Sequence, residues 1–295
     1  MQQPEIKIPL LSQEILDSIK NKILDVQYCD RSPSQILDIY LPENCSGPYP
    51  VIAHFHGGAF MIGTQRDDNL RPMLRGLSRG YAVVSVQYRM SGEARFPALI
   101  WDAKAAIRFI RANAEKYGLD SSRIAAWGPS AGGYISAMLG VTEGNPAFED
   151  LSMGNAHVSS AVQAVVDWCG PCGDFLKMDT AIRESGIGIP DHNEAYSPES
   201  LLMGAQITKI PELVSLACPC RYANKNAPPF LIHHGEADPV VPVSQSIALA
   251  EALKNAGVPV TLETFPGKGH HGEPWYDEEW LSDKVFDFLD SVFKK

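Results

Sequence analysis

The chain has 295 residues and carries 25 Lys and Arg against 35 Asp and Glu, a formal net charge of -10. That length suits one large α/β domain, and no Ser/Gly-rich linker or charge block divides it. The acidic balance and the lack of a Lys/Arg cluster argue against a phosphate-backbone track, so nucleic acid is not an expected partner, and no apolar run approaches the roughly 18 residues that a membrane span requires. Residues 1–10 lack the basic-then-apolar layout of a signal peptide. The expected location is cytoplasmic, or secreted if a leader has been removed.

In chain order, residues 9–22 read as an amphipathic helix ahead of the first strand. Residues 23–29 and 35–41 are β-rich runs joined by Arg31-Ser32-Pro33-Ser34, which predicts an opening antiparallel hairpin. Continuous apolar runs then alternate with helical ones. Residues 50–56, 81–87, 123–127, 161–168, 230–234 and 260–265 read as further strands, making eight in all, in a mostly parallel sheet with helices on both faces. The helix over 97–117 carries Ile100, Ala103, Ile107 and Ile110 at helical spacing and stops at Gly118. The helix over 244–256 repeats the scheme with Ile247, Ala250 and Leu253, and Trp280, Val285, Phe288 and Val292 supply the expected buried stripe of the last helix. Segment 173–227 breaks the alternation and is rich in Pro and Gly. With the first helix, it is expected to form a small cap at the C-terminal edge of the sheet, where ligands bind in such folds.

Gly128-Pro129-Ser130-Ala131-Gly132 is a GxSxG between the strand at 123–127 and a helix starting near Gly133. A strand-to-helix turn of this kind folds back sharply, needs glycine where a Cβ would strike its neighbours, and leaves the serine hydroxyl exposed as a nucleophile. His56-Gly57-Gly58-Ala59-Phe60 follows the third strand, beside that turn. Its glycines let main-chain amides approach a developing oxyanion, so Gly58, Ala59 and Ala131 are the expected donors, with His56 ordering the loop. After the seventh strand, Asp238 is the expected acid that orients a histidine, with Glu236 as its substitute. After the eighth strand stand two adjacent histidines. His270 is the preferred base and His271 the alternative, because neighbours in a turn point in different directions and one alone can reach Ser130.

The six cysteines are too sparse for a disulfide framework. Trp168-Cys169-Gly170-Pro171-Cys172 spells the active-site pentapeptide of thioredoxins, but it follows a long repeating βα pattern instead of closing an early strand. Cys169 and Cys172 are therefore read as structural thiols or a short-loop disulfide, with a thiol-disulfide redox protein kept as an alternative. Cys218-Pro219-Cys220 lacks a second pair at zinc spacing, and no metal site is expected.

Taken together, the chain resembles the α/β-hydrolase superfamily. More closely, it is similar to serine carboxylesterases grouped with bifunctional feruloyl and acetyl-xylan esterases, near the hormone-sensitive-lipase group. The resemblance covers most of the chain after about residue 30 and rests on His56-Gly57-Gly58-Ala59-Phe60, Tyr88-Arg89, Phe96-Pro97-Ala98 with Asp102, Trp127-Gly128-Pro129-Ser130-Ala131-Gly132-Gly133, Ser197-Pro198-Glu199-Ser200-Leu201-Leu202-Met203-Gly204, and the Asp238 and His270 loops. It implies Ser130, Asp238 and His270 as a catalytic triad. It departs from the family pattern at Ala59, which stands where a third glycine is usual, and in the turn enlarged by Cys172 and Gly173.

The implied reaction is ester hydrolysis through an acyl-enzyme, with no metal or organic cofactor. The implied partner is a small-molecule or carbohydrate-linked ester, either feruloyl or acetyl on plant carbohydrate or a small aryl or short-chain acyl ester. Phe60, Trp168, Phe175 and Trp275 are candidates to line the substrate pocket. A serine peptidase on the same scaffold is the competing enzymatic reading, and self-association into a homo-oligomer is left open.

Overall fold

The computed structural model describes residues 8–271 and 274–293. Eight strands, β1 Lys22–Gln27, β2 Ile36–Tyr40, β3 Tyr49–Phe55, β4 Ala82–Val86, β5 Leu119–Pro129, β6 Ala164–Trp168, β7 Phe230–Gly235 and β8 Val260–Phe265, form one sheet in the order β1-β2-β4-β3-β5-β6-β7-β8. The two pairs involving β2 are antiparallel and all others are parallel. The parallel strands β3 to β7 are buried along most of their length, which is why they read as near-continuous apolar runs.

Ten helices accompany the sheet among the described residues. Four of them, α1 Gln13–Ser18, α2 Arg71–Leu74, α3 Ala98–Ala112 and α4 Ala114–Tyr117, precede β5, and α5 Ala131–Val141 follows it directly. Beyond β6 come α6 Met178–Ser185, α7 Pro198–Met203, α8 Pro211–Ser215, α9 Ser244–Asn255 and α10 Glu279–Phe293. One apolar core packs α3, α5 and α9 against the sheet, and a second packs α10 and Trp127.

Three helical expectations need correction. The helix expected over 9–22 shrinks to α1, none of whose residues is buried; the apolar anchors Leu11 and Ile19 flank it instead of lining it. Preceding residues run alongside the loop after β3, where the Leu11 N–H donates to the Arg66 carbonyl at 2.8 Å. In α9, Ile247 is 40% exposed while Leu249, Ala250 and Leu253 are buried. In α10, the buried stripe is Leu281, Val285, Phe286, Leu289 and Phe293, with Trp280 39% exposed. Doublets such as Trp280-Leu281 and Phe288-Leu289 offer two stripes one residue apart. The face that meets Tyr81 and Trp127 through Phe286 is the one that buries.

Candidate active site

Ser130 links β5 to α5 with φ 54 and ψ -120, a strained backbone for a residue bearing a Cβ. The turn is tight because three glycines admit close neighbours. A Cβ on Gly128 would lie 2.3 Å from the Phe55 carbonyl oxygen, one on Gly132 1.9 Å from the same oxygen, and one on Gly133 2.2 Å from Asp167 Oδ1. The Ser130 N–H donates to the Trp168 carbonyl at 2.7 Å, tying the turn to the end of β6.

The sequence-predicted partners arrive from the ends of β7 and β8. Ser130 Oγ lies 3.0 Å from His270 Nε2, and His270 Nδ1 lies 2.6 Å from Asp238 Oδ2. Asp238 Oδ1 accepts from the N–H groups of Val240 and Val241, both at 2.8 Å, so the carboxylate is held on two sides. His234 adds a contact at 3.2 Å to Asp238 Oδ2. Burial pushes the Asp238 carboxyl up, but His270 and His234 outweigh it and hold the group well below the usual carboxylate range. The other candidates take other places. His271 is turned toward Gly57, where a Cβ would meet its ring at 3.0 Å, and Glu236 accepts from the Thr264 hydroxyl at 2.7 Å.

The 56–60 loop lies beside the Ser130 turn, since a Cβ on Gly57 would be 3.2 Å from the Pro129 carbonyl oxygen. Gly58, Ala59 and Phe60 all have positive φ, at 114, 54 and 62. The value at Ala59 gives a backbone reason why glycine would be easier there. His56 stacks on Tyr88 at 4.4 Å, and its Nδ1–H donates to the Gly57 carbonyl at 2.7 Å, which fixes the loop's entry.

Sequence reasoning singled out Cys169 but missed its neighbours. Its sulfur, a carboxylate oxygen of Asp238 and a ring nitrogen of His270 all lie within 4.8 Å of one another, the one such cluster of metal-ligating groups among the described residues. Burial pushes the His270 imidazolium down, but Cys169 and then Asp238 more than offset it, and the group is pushed up to about 10. Cys169 and Cys172 are both free and buried, and burial followed by Asp167 raises the Cys172 thiol well above its ordinary value. With no disulfide between them and both sulfurs buried, the pair fits the reading as structural thiols.

The four aromatics expected in the pocket divide between the two cores. Phe60 and Phe175 pack with Tyr134, at centroid distances of 5.4 and 5.7 Å from its ring. Trp168 meets Trp127 edge-on and packs tilted against Tyr276, and Trp275 packs tilted against Phe265, in the core against α10. All four are buried core side chains, Phe60 and Phe175 on the side of Tyr134 and α5, Trp168 and Trp275 on the side of α10.

An eight-stranded mostly parallel sheet carrying a serine, a histidine and an aspartate on the loops after β5, β8 and β7 defines an α/β-hydrolase. Residues 37–253 match the BD-FAE family model, and the chain belongs to that family. It is similar to the esterase LipC of Mycobacterium tuberculosis, with 32% identity over 81% of this chain and 57% of the relative, and to LipQ of the same organism, with 30% identity over 91% and 62%. The chain thus spans about three fifths of the length of these curated relatives. Among solved structures, a truncated carbohydrate esterase from gut microbiota superposes with a TM-score of 0.84 at 34% identity, covering 98% of this chain and all of the other. A bifunctional GH43-CE protein of Bacteroides eggerthii superposes with a TM-score of 0.81 at 35% identity, covering 92% of this chain and 35% of the other. No helix among the described residues is long and apolar enough to cross a membrane.

Proposed function

We propose that the chain is a serine carboxylic-ester hydrolase that removes short acyl groups, acetyl first, from a carbohydrate-linked ester. The observation that carries this reading is the continuous line Ser130 Oγ, His270 Nε2, His270 Nδ1, Asp238 Oδ2, at 3.0 and 2.6 Å. As Ser130 attacks the ester carbonyl, His270 takes its proton, and Asp238 holds the tautomer and stabilises the imidazolium. The amides of Gly58, Ala59 and Ala131 stabilise the oxyanion, the last at the N-terminus of α5. His270 then protonates the departing alcohol, and water repeats the sequence on the acyl-enzyme to release the acid.

One observation supports acetyl over feruloyl, and a second supports a carbohydrate-linked alcohol. Phe60, Tyr134 and Phe175 pack on one another and are buried, so no ring-sized slot opens between them. Two solved structures similar to this chain at over 30% identity are a carbohydrate esterase and a bifunctional GH43-CE protein. Ser130→Ala should lower turnover of p-nitrophenyl acetate by about a thousandfold or more, because nucleophile and base act as a unit. A panel of acetylated xylan, methyl ferulate and p-nitrophenyl acetate tests the substrate. Release of acetate from xylan supports the carbohydrate reading, faster turnover of methyl ferulate reverses the acyl preference, and full activity in Ser130→Ala overturns the hydrolase itself.

A further inference from the structure

His192 belongs to the segment between α6 and α7 and plays no part in the line described above, yet it is connected to it. It is buried, its Nδ1 lies 3.1 Å from Glu199 Oε2 on α7, and its Nε2 lies 3.0 Å from the carbonyl oxygen of Val240. That carbonyl is part of the same peptide group as the Val241 N–H, which donates to Asp238 Oδ1 at 2.8 Å. The backbone around His192 is pinned as well. Asp179 accepts from the His192 N–H at 2.8 Å and from the Asn193 N–H at 3.2 Å. A Cβ on Gly188 would lie 2.3 Å from the Pro239 carbonyl oxygen, so this stretch of chain rests directly on the Asp238 loop.

We infer that His192, held by Glu199, is a positioning residue for Asp238: it clamps the 240–241 peptide whose N–H fixes one carboxylate oxygen, leaving the other aimed at His270. The inference rests on reading Asp238 as the acid of the catalytic line. Burial pushes the His192 imidazolium down, while Glu199, Asp179 and Asp191 pull it up and prevail. Nε2–H donates to the Val240 carbonyl, and Nδ1 faces the Glu199 carboxylate. A donor on that carbonyl polarises the peptide and strengthens its N–H as a donor to Asp238. Residues 238–242 lie outside any helix or strand and Val240 is exposed, so no ladder or helical hydrogen bond fixes the 240–241 peptide, and His192 supplies the bond to its carbonyl. Small displacements of an orienting group are costly to catalysis when the base must stay aligned. Segment 173–227 therefore supports the acid.

The test compares His192→Leu, which removes both ring nitrogens, His192→Gln, which keeps one N–H near the position of Nε2, and Glu199→Gln, all in the full chain. His192→Leu should lower kcat for p-nitrophenyl acetate about tenfold with KM changed by less than about twofold, the scale of one hydrogen bond acting on the transition state. His192→Gln should recover most of that loss. The downfield Nδ1–H proton resonance of His270, read in the resting enzyme, should move in His192→Leu and stay near native in His192→Gln. A folded His192→Leu with native kcat and a native His270 resonance overturns the inference. If His192→Leu does not fold, the isosteric Glu199→Gln decides: lowered kcat with a moved resonance supports the clamp, and native values of both refute it. Ser130→Ala serves as the control, since activity surviving there sinks the hydrolase reading, whereas the His270 resonance tests the clamp without turnover.

Discussion

The Cβ position of Gly132 lies 1.9 Å from the carbonyl oxygen of Phe55, the last residue of β3. The turn bearing Ser130 is therefore seated on the end of a neighbouring strand, and the 56–60 loop leaves that strand at the same point. The serine and the amides proposed to hold an oxyanion are thus both anchored at the end of β3.

Gly132→Ala must push backbone against backbone, so it should destabilise the protein by about 3 kcal/mol, the upper range for overpacking a filled interior. Turnover should fall with it. Urea denaturation alongside a p-nitrophenyl acetate assay checks both, and a variant with native stability and rate would show that the turn yields freely.

The pH dependence follows from His270. In the free enzyme the base must be neutral, so kcat/KM should rise with pH through the His270 ionisation. Because Cys169 and Asp238 push that group up to about 10 against the opposing effect of burial, the acidic limb should lie on the alkaline side of the ordinary histidine range. Cys169→Ala removes one raising neighbour and should move the limb to lower pH. A rate profile whose limb is unmoved in that variant would separate the thiol from the base. The same shift has a stability sign: a raised imidazolium favours the fold fully below the unfolded value near 6.5, and that contribution fades as pH climbs through the folded value.

Asp102 on α3 is fully buried and accepts from Arg89 Nη2 at 2.7 Å, from the Arg89 N–H at 2.9 Å and from Gln35 Nε2 at 2.7 Å. Asp102→Ala leaves the Arg89 guanidinium and the Gln35 amide without their partner. The cost should be about 3–5 kcal/mol, as for breaking a buried ion pair from one side. Thermal and denaturant unfolding measure it, and a loss below about 1 kcal/mol would show that water replaces the carboxylate.

Phe175 closes against Phe60 and Tyr134 beside the serine turn. Phe175→Ala should cost about 3–5 kcal/mol of stability and enlarge the space for the acyl chain. The ratio of kcat/KM for p-nitrophenyl butyrate over acetate should then rise. Trp275→Ala, in the core against α10, should leave that ratio unchanged. An equal change in both variants would mean that the acyl chain lies elsewhere.

Much of this was readable in one dimension because it depends on local periodicity and chain order. Buried parallel strands must be continuous apolar runs, a strand-to-helix serine turn must carry glycine, and the loops after β5, β7 and β8 must meet at one sheet edge. Those constraints place Ser130, Asp238 and the histidine doublet at that edge from chain order alone. Choices between near-equivalent neighbours were not readable. His270 and His271 are chemically the same, and the direction of the turn after β8 sends the first to Ser130 and the second against Gly57. The doublets of α10 are likewise a choice that only the opposing surface makes.

The amino-acid order by itself determined the eight-stranded α/β architecture, the sheet edge that carries the chemistry and the residue types gathered there, because each follows from spacing along the chain. Tertiary structure alone decided which histidine reaches the serine, that Trp168 and Trp275 are core side chains, that Cys169 lies beside His270, and that His192 reaches the loop of Asp238. Those relationships join residues from 32 to 140 positions apart where hydrogen bonds pair His270 with Asp238 and Ser130, and 48 apart for His192 with Val240. No local pattern encodes such pairings, since they arise only when separate elements pack and their side chains compete for the same space.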